Sequence, residues 1–253
     1  MKISVITPVY NGERFIRDTI ASVLSQQGDF ELEYIICDGE STDGTLAILA
    51  EYRDRCTIVS RQDGSPQVAI NNGMAMATGD LACWLNADDQ FEPGTLQAVA
   101  DAFRRRPQAQ WLYGRCRIVD ENNREIRRPI TWYKNLIGFC YSRNVLLCEN
   151  YINQPATFWR LAFWRRTSDL DPQFKAAWDY ELWMKMSQMA PAVALHRYLA
   201  RFRRHSGSIS ENHFVRQFDE ELAIARKYGS WLHYVIHCFN ARKIVLAYKL
   251  MKG

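Results

Sequence analysis

Ile3-Ser4-Val5-Ile6-Thr7-Pro8-Val9-Tyr10-Asn11-Gly12 decides how the rest of the chain is read. An apolar, β-branched run that stops at a proline and a Tyr-Asn-Gly turn reads as a buried strand followed by a loop. Residues 13–27 then place Phe15, Ile16, Thr19, Ile20, Val23 and Leu24 at helical spacing, so the opening unit is strand, loop, helix. A second unit has a strand at 32–37, a polar loop at 38–44 and a helix at 45–52. A third has a strand at 57–60 and a helix at 67–77. A fourth has a strand at 81–85 and a helix at 93–105, with Pro93 near its first turn. Alternation of this kind predicts an α/β fold, a mostly parallel Rossmann-like sheet sandwiched by helices.

Ligands of such sheets bind beyond the carboxyl ends of the strands. The polar clusters fall there: Tyr10-Asn11, Asp38, Asp63 and Asp88-Asp89. After residue 110 the alternation blurs. Strands are expected at 111–119 and 126–130, followed by an irregular aromatic stretch over 132–164. The expected organisation is a domain at 1–210, with a nucleotide-binding half at 1–110 and an acceptor half at 111–210, followed by a basic helical extension at 211–253. No internal repeat is found.

Hydrophobic residues make up 47% of the 253 and charged residues 24%, which excludes extended disorder. The net charge of +4 is uneven. Residues 196–253 hold 11 Lys or Arg against 4 Asp or Glu, while the first 195 residues carry −3. A basic tail suits anionic phosphates, an anionic lipid surface or a solvated helix face. The seven cysteines show no C-x-x-C and read as reduced thiols of a cytoplasmic protein. The run before Pro8 is too short for a signal peptide, and no stretch is long and uncharged enough for a transmembrane helix.

Three constellations can carry chemistry. Asn86-Ala87-Asp88-Asp89 ends an apolar strand with two carboxylates on the rim, the ligand type that hard divalent cations prefer; a helix cap or solvated turn explains the pair equally well. Trp178-Asp179-Tyr180-Glu181-Leu182-Trp183 opens an amphipathic helix whose dipole helps keep Asp179 ionised; an N-cap is the alternative, and Glu181 reads as a first-turn solvent charge. His205 lies in a basic, small-residue loop and suits metal ligation, whereas His196, His213, His233 and His237 read as structural or exposed.

Taken in order, these segments resemble the family-2 group of inverting glycosyltransferases, over roughly residues 2–210. The resemblance implies the GT-A fold. Residues 4–12, with Thr7, Pro8, Val9 and Tyr10, are similar to the family's first strand and uridine-contacting loop. Asp38 opens a segment similar to its second motif, and Asp63 and Asn72 fall within its third. Asn86-Ala87-Asp88-Asp89 stands where the family keeps its D-x-D metal site, Asp179 where it keeps the catalytic base, and His205 where a histidine completes the metal shell. Asn86, Trp178 and Asn72 depart from the family pattern, standing where an aspartate, a glutamate and a lysine are common.

The resemblance implies an acceptor hydroxyl deprotonated by Asp179 attacking the anomeric carbon of a nucleotide sugar, UDP-linked above others, with inversion. Mn²⁺ or Mg²⁺ held by Asp88, Asp89 and His205 would neutralise the leaving diphosphate. Gln154 and Trp178 fall on the acceptor side, where a saccharide or lipid-linked saccharide would bind in cell-surface polysaccharide assembly. Residues 231–252 suit a membrane interface at the inner face of the cell membrane, or a helix docked on the domain. The competing reading is a non-catalytic nucleotide-sugar-binding or scaffold protein of the same fold. A dehydrogenase or nucleotidyltransferase is disfavoured because no G-x-G-x-x-G or glycine-rich phosphate cradle follows the first strand, and no nucleic-acid-binding module is present.

Overall fold

The computed structural model of the chain describes residues 1–167, 169–208 and 214–252. The first units form as expected: β1 (Lys2–Val9), α1 (Ile16–Leu24), β2 (Glu31–Asp38), α2 (Thr45–Ala50), β3 (Thr57–Ser60), α3 (Pro66–Met76) and β4 (Leu81–Trp84). β1 pairs in parallel with β2 and with β4, and β2 with β3. Alternate side chains serve opposite layers. Ile3, Val5 and Val9 pack with Ile16 and Ile20 of α1, and Ile6 packs with Ile70 and Met74 of α3. Because both faces are covered, the strands read as continuous apolar runs. Close packing is built in at Gly73, where a Cβ would lie 2.6 Å from the Ile6 side chain, so α3 can approach β1 only with glycine there.

The second half extends this sheet to eight strands in the order β3-β2-β1-β4-β7-β6-β8-β5. β5 (Gln90–Phe91) is followed by α4 (Thr95–Arg105), β6 (Trp111–Val119), α5 (Arg128–Ile137), α6 (Arg143–Cys148), β7 (Thr157–Arg160), α7 (Leu161–Thr167), α8 (Trp178–Met189) and β8 (Val193–Arg203). β7 runs antiparallel to β4 and β6, β8 parallel to β6, and β5 antiparallel to β8. The fold class stands, with the antiparallel pairs as additions. Two helices, α9 (Phe214–Tyr228) and α10 (Trp231–Lys252), close the chain. The expected boundary at residue 210 and His213 lie outside the described residues.

Several local expectations are corrected. The strand expected at 126–130 is a turn and the start of α5: Ile126 N–H still bonds the Ile118 carbonyl, but Pro129 sits in the first helical turn, where no N–H is needed. The helix expected from Pro93 starts at Thr95, after Gly94 in the left-handed region. Glu181 is not a solvent charge. It is 1% exposed, pairs with Lys185 at 2.8 Å and Lys227 at 3.3 Å, and accepts from the Tyr228 hydroxyl at 2.7 Å.

The irregular aromatic stretch is largely core. Trp84, Trp111, Trp159 and Trp183 are fully buried, and the Trp183 ring stacks with those of Trp84 and Trp111. These ring contacts pack α8 against the sheet one turn after Asp179. All seven cysteines are unpaired, with Cys37, Cys83 and Cys116 buried.

Candidate active site

A cleft of about 1160 Å³ opens at the carboxyl ends of β1, β2 and β4 and runs to α8, α9 and α10. Pro8, Val9 and Tyr10 line one end, with Gly39, Asp63 and Ala69. Tyr10 is 65% exposed, an aromatic face free to stack. Asp63 Oδ1 accepts from Asn72 Nδ2 at 2.6 Å and Arg61 Nε at 3.0 Å, while its Oδ2 is buried without a partner among the described residues. Asp38 lies behind this wall. It is fully buried, and its two oxygens accept from the Ser41 hydroxyl at 2.5 Å and the Ser60 hydroxyl at 2.6 Å. Thr7 is likewise buried, its hydroxyl 3.1 Å from the Tyr34 hydroxyl.

The two neighbouring carboxylates after β4 part company. Asp88 faces the cleft, its Oδ2 3.0 Å from His205 Nε2. Gly207 N–H donates to His205 Nδ1 at 3.2 Å, which leaves the ring proton on Nε2, aimed at Asp88. Asp89 turns inward and is fully buried, accepting from Arg203 N–H at 3.0 Å and Asn86 Nδ2 at 3.3 Å. Burial, helped by the adjacent Asp88 charge, pushes the Asp89 carboxyl well above the usual range. The turn is braced from both sides: the Thr19 hydroxyl donates to the Ala87 and Asp89 carbonyls at 2.8 Å each, and Asn86 donates to Gln154 Oε1 at 3.3 Å.

Gln154 lines the cleft and donates to the Trp84 carbonyl at 2.7 Å, tying the acceptor side to the end of β4. Trp178 and Asp179 line it from the first turn of α8. Ala177 is the N-cap, so Asp179 is not a cap, and its Oδ1 accepts from Tyr180 N–H at 2.7 Å. Burial, then the Glu221 charge, raise the Asp179 carboxyl from 3.8 to about 7. A carboxylate with that value is half ionised near neutrality and suits proton abstraction. Ahead of α8, Glu220 of α9 accepts from the N–H groups of Lys175, Ala176 and Ala177 at 2.8–3.0 Å.

Of the site residues read from the sequence, Pro8, Val9, Tyr10, Asp63, Asp88, Gln154, Trp178, Asp179 and His205 line one cleft, whereas Thr7, Asp38, Asn72 and Asp89 do not line it. Thr19, Arg203, Glu221 and His237 went unnoticed as site residues. Their signal is tertiary alone, since Thr19, Arg203 and Glu221 act on residues far away in the sequence and His237 meets Glu221 across two separate helices.

A family model for glycosyl transferase family 2 matches residues 4–163. The chain belongs to glycosyl transferase family 2. It is 26% identical over 227 residues to the chondroitin synthase of Escherichia coli, covering 84% of this chain and 31% of that protein. It is 24% identical over 224 residues to the hyaluronan synthase of Pasteurella multocida, covering 84% and 22%. The family 2 chain thus spans about a third or less of these curated relatives. Among solved structures it is similar to S. aureus TarS 1–349 in complex with UDP, with a TM-score of 0.68 and 20% identity, covering 89% of this chain and 64% of that one. It is similar also to the mannosyltransferase PcManGT from Pyrobaculum calidifontis in complex with GDP-Man and Mn²⁺, with a TM-score of 0.69 and 17% identity, covering 90% and 65%. The family 2 chain has the GT-A fold.

Proposed function

We propose that this glycosyltransferase moves a sugar from a UDP-linked donor to a hydroxyl of a saccharide acceptor, with inversion, using Asp179 as general base. The observation that carries the proposal is the single cleft that joins the Tyr10–Asp63 rim, the Asp88–His205 pair and Asp179. The nucleoside lies on Pro8, Val9, Tyr10 and Asp63, with the base stacked on Tyr10 and an imide N–H directed to the Asp63 carboxyl. Thr7, Asp38 and Asn72 hold that rim from behind. The acceptor hydroxyl gives its proton to an Asp179 oxygen as it attacks the anomeric carbon opposite the leaving diphosphate. Ionised Asp179 is the active form, so transfer rises as pH rises through about 7.

Mn²⁺ or Mg²⁺ fits beside Asp88 and His205. Among the described residues no group of three or more His, Cys, Asp or Glu side chains could hold a metal alone. One carboxylate and one imidazole instead match an ion that takes the rest of its ligands from the diphosphate and water. Asp88 and His205 would hold the ion from the protein side. When bound, such an ion supplies Lewis-acid stabilisation to the departing diphosphate. Asp89 supports Asp88 from the interior.

Two relatives are by name synthases of polysaccharides, which supports a saccharide acceptor. A lipid carrier for it is supported by α10. Trp231, Leu232, Val235, Ile236 and Phe239 are exposed on that helix, no acidic residue occurs in it, and His237 and Ala241 face the cleft. No helix among the described residues is long and apolar enough to cross a membrane. An interfacial helix at the inner membrane surface fits both observations. The decisive experiment is a thermal-shift panel of UDP-, GDP- and dTDP-sugars with and without Mn²⁺. A selective UDP-sugar response enhanced by Mn²⁺ is expected, and no response to any nucleotide sugar would sink the proposal.

A further inference from the structure

Phe15 lines the cleft beside the Asp88–His205 pair. Its ring centroid lies 4.8 Å from that of His205, with the two rings tilted by 52°. Two guanidinium groups lie over the same ring, Arg203 at 4.4 Å and Arg14 at 4.8 Å. The face of an aromatic ring is electronegative, so it draws cations to this end of the cleft. The two arginines differ in their freedom. Arg203 is fully buried and donates to Asp18 Oδ2 and Asn123 Oδ1 at 2.8 Å each, which commits it to the wall. Arg14 lines the cleft with its side chain 59% exposed, and its Nη2 donates to Glu121 Oε2.

Glu121 belongs to the turn after β6 and holds Arg14 from outside the lining of the cleft. A pair this open to water is weak, because both charges are screened and two long side chains must be ordered to form it. A phosphate offers the guanidinium more, with greater charge and two oxygens that match its planar fork. Arg14 thus has a partner it can give up, on the ring that also carries His205. In the reading above, the diphosphate of the donor lies beside Asp88 and His205. A bare Asp88 carboxylate would repel it, so cationic groups are needed there. Arg204 also lines this end, but it is 8% exposed and packed into the wall, whereas Arg14 reaches from the surface.

We propose that Arg14 is a diphosphate-binding residue that Glu121 holds in reserve. When the donor enters, the guanidinium leaves the Glu121 carboxylate for phosphate oxygens, and Glu121 turns to water. The proposal rests on the nucleotide-sugar reading given above. It gives the loop after β1 two tasks, since Tyr10 meets the nucleoside and Arg14, four residues on, meets the leaving group.

The test is calorimetric titration with UDP and with uridine, in EDTA and again with Mn²⁺. Arg14→Ala should weaken UDP about tenfold and leave uridine unchanged, and Arg14→Lys should recover part of the loss. Glu121→Gln should strengthen UDP by about two- to fivefold, because the competing partner is gone. In the Arg14→Ala background, Glu121→Gln should have no effect on UDP. An undiminished gain in that background would mean general charge repulsion by Glu121 and would overturn the exchange. Equal affinity of wild type and Arg14→Ala for UDP would overturn the proposal and leave the donor reading intact. A wild-type protein that binds neither UDP nor uridine would overturn both.

Discussion

On the wall proposed to face the nucleotide, Tyr10, Gly39 and Asp63 follow adjacent parallel strands, so one sheet edge aligns them. On the opposite wall, Tyr133, Gln154, Asp179 and Glu221 come from α5, a short 3-10 turn, α8 and α9, and are aligned only by packing. The difference has a consequence for chemistry. Strand-end loops present backbone and small side chains at fixed spacing, which suits a common donor. A wall assembled from separate helices can change one helix at a time, which suits a variable acceptor.

That contrast can be broken experimentally, and the largest effect is expected at Asp179. Asp179→Asn should lower kcat by ~10²–10⁴-fold while the UDP-sugar thermal shift is unchanged. Loss of donor binding along with transfer would mean the two walls are not functionally separate. The same variant should be more stable than wild type at pH 8. A carboxyl raised from 3.8 to about 7 in the folded state favours folding at low pH, and that stability is lost as pH rises through this window. Melting curves at pH 5 and pH 8 should therefore show a larger variant advantage at the higher pH.

The next effect separates the two adjacent carboxylates. Asp88→Ala should weaken Mn²⁺-dependent donor binding by about 10–100-fold, measured by calorimetry. Asp89→Asn should leave the Mn²⁺ response within about threefold, because its carboxyl already serves as a buried acceptor for Arg203 N–H. Equal losses would return Asp89 to the metal. Asp63→Ala should weaken UDP by about tenfold without changing kcat, read as a shift in KM for the donor. A fall in kcat instead would carry Asp63 across to the acceptor wall. The smallest effect belongs to α10. Trp231→Ser with Phe239→Ser should reduce co-sedimentation with vesicles containing anionic phospholipid by severalfold and leave transfer to a soluble acceptor unchanged, whereas unaltered sedimentation would remove the membrane from the reading.

The strands of the first half were legible because burial on both faces writes an uninterrupted apolar run, as in Ile3-Ser4-Val5-Ile6, and because turn residues punctuate it. β5 was not legible. Two residues, Gln90 and Phe91, carry no periodicity, and they become a strand only because β8 offers a partner 110 residues later. Glu181 misread as a surface charge for a similar reason: its neighbours in sequence are apolar, but the groups that compensate it include Lys227 and Tyr228 of α9. Asp88 and Asp89 are indistinguishable as adjacent letters, and only the backbone turn sends one to the cleft and the other into the interior.

The sequence by itself determined the parallel strands of the first half, the GT-A class and some of the residues that reach the rim, because these depend on local patterning and on motifs that are contiguous. Tertiary structure alone decided which carboxylate faces the cleft, how far burial raises the Asp179 carboxyl, and that the C-terminal helices complete the cleft. The physical reason is that desolvation and charge act through space. The carboxyl at Asp179 responds to burial and to Glu221, 42 residues away along the chain, and neither leaves a mark in the letters around it.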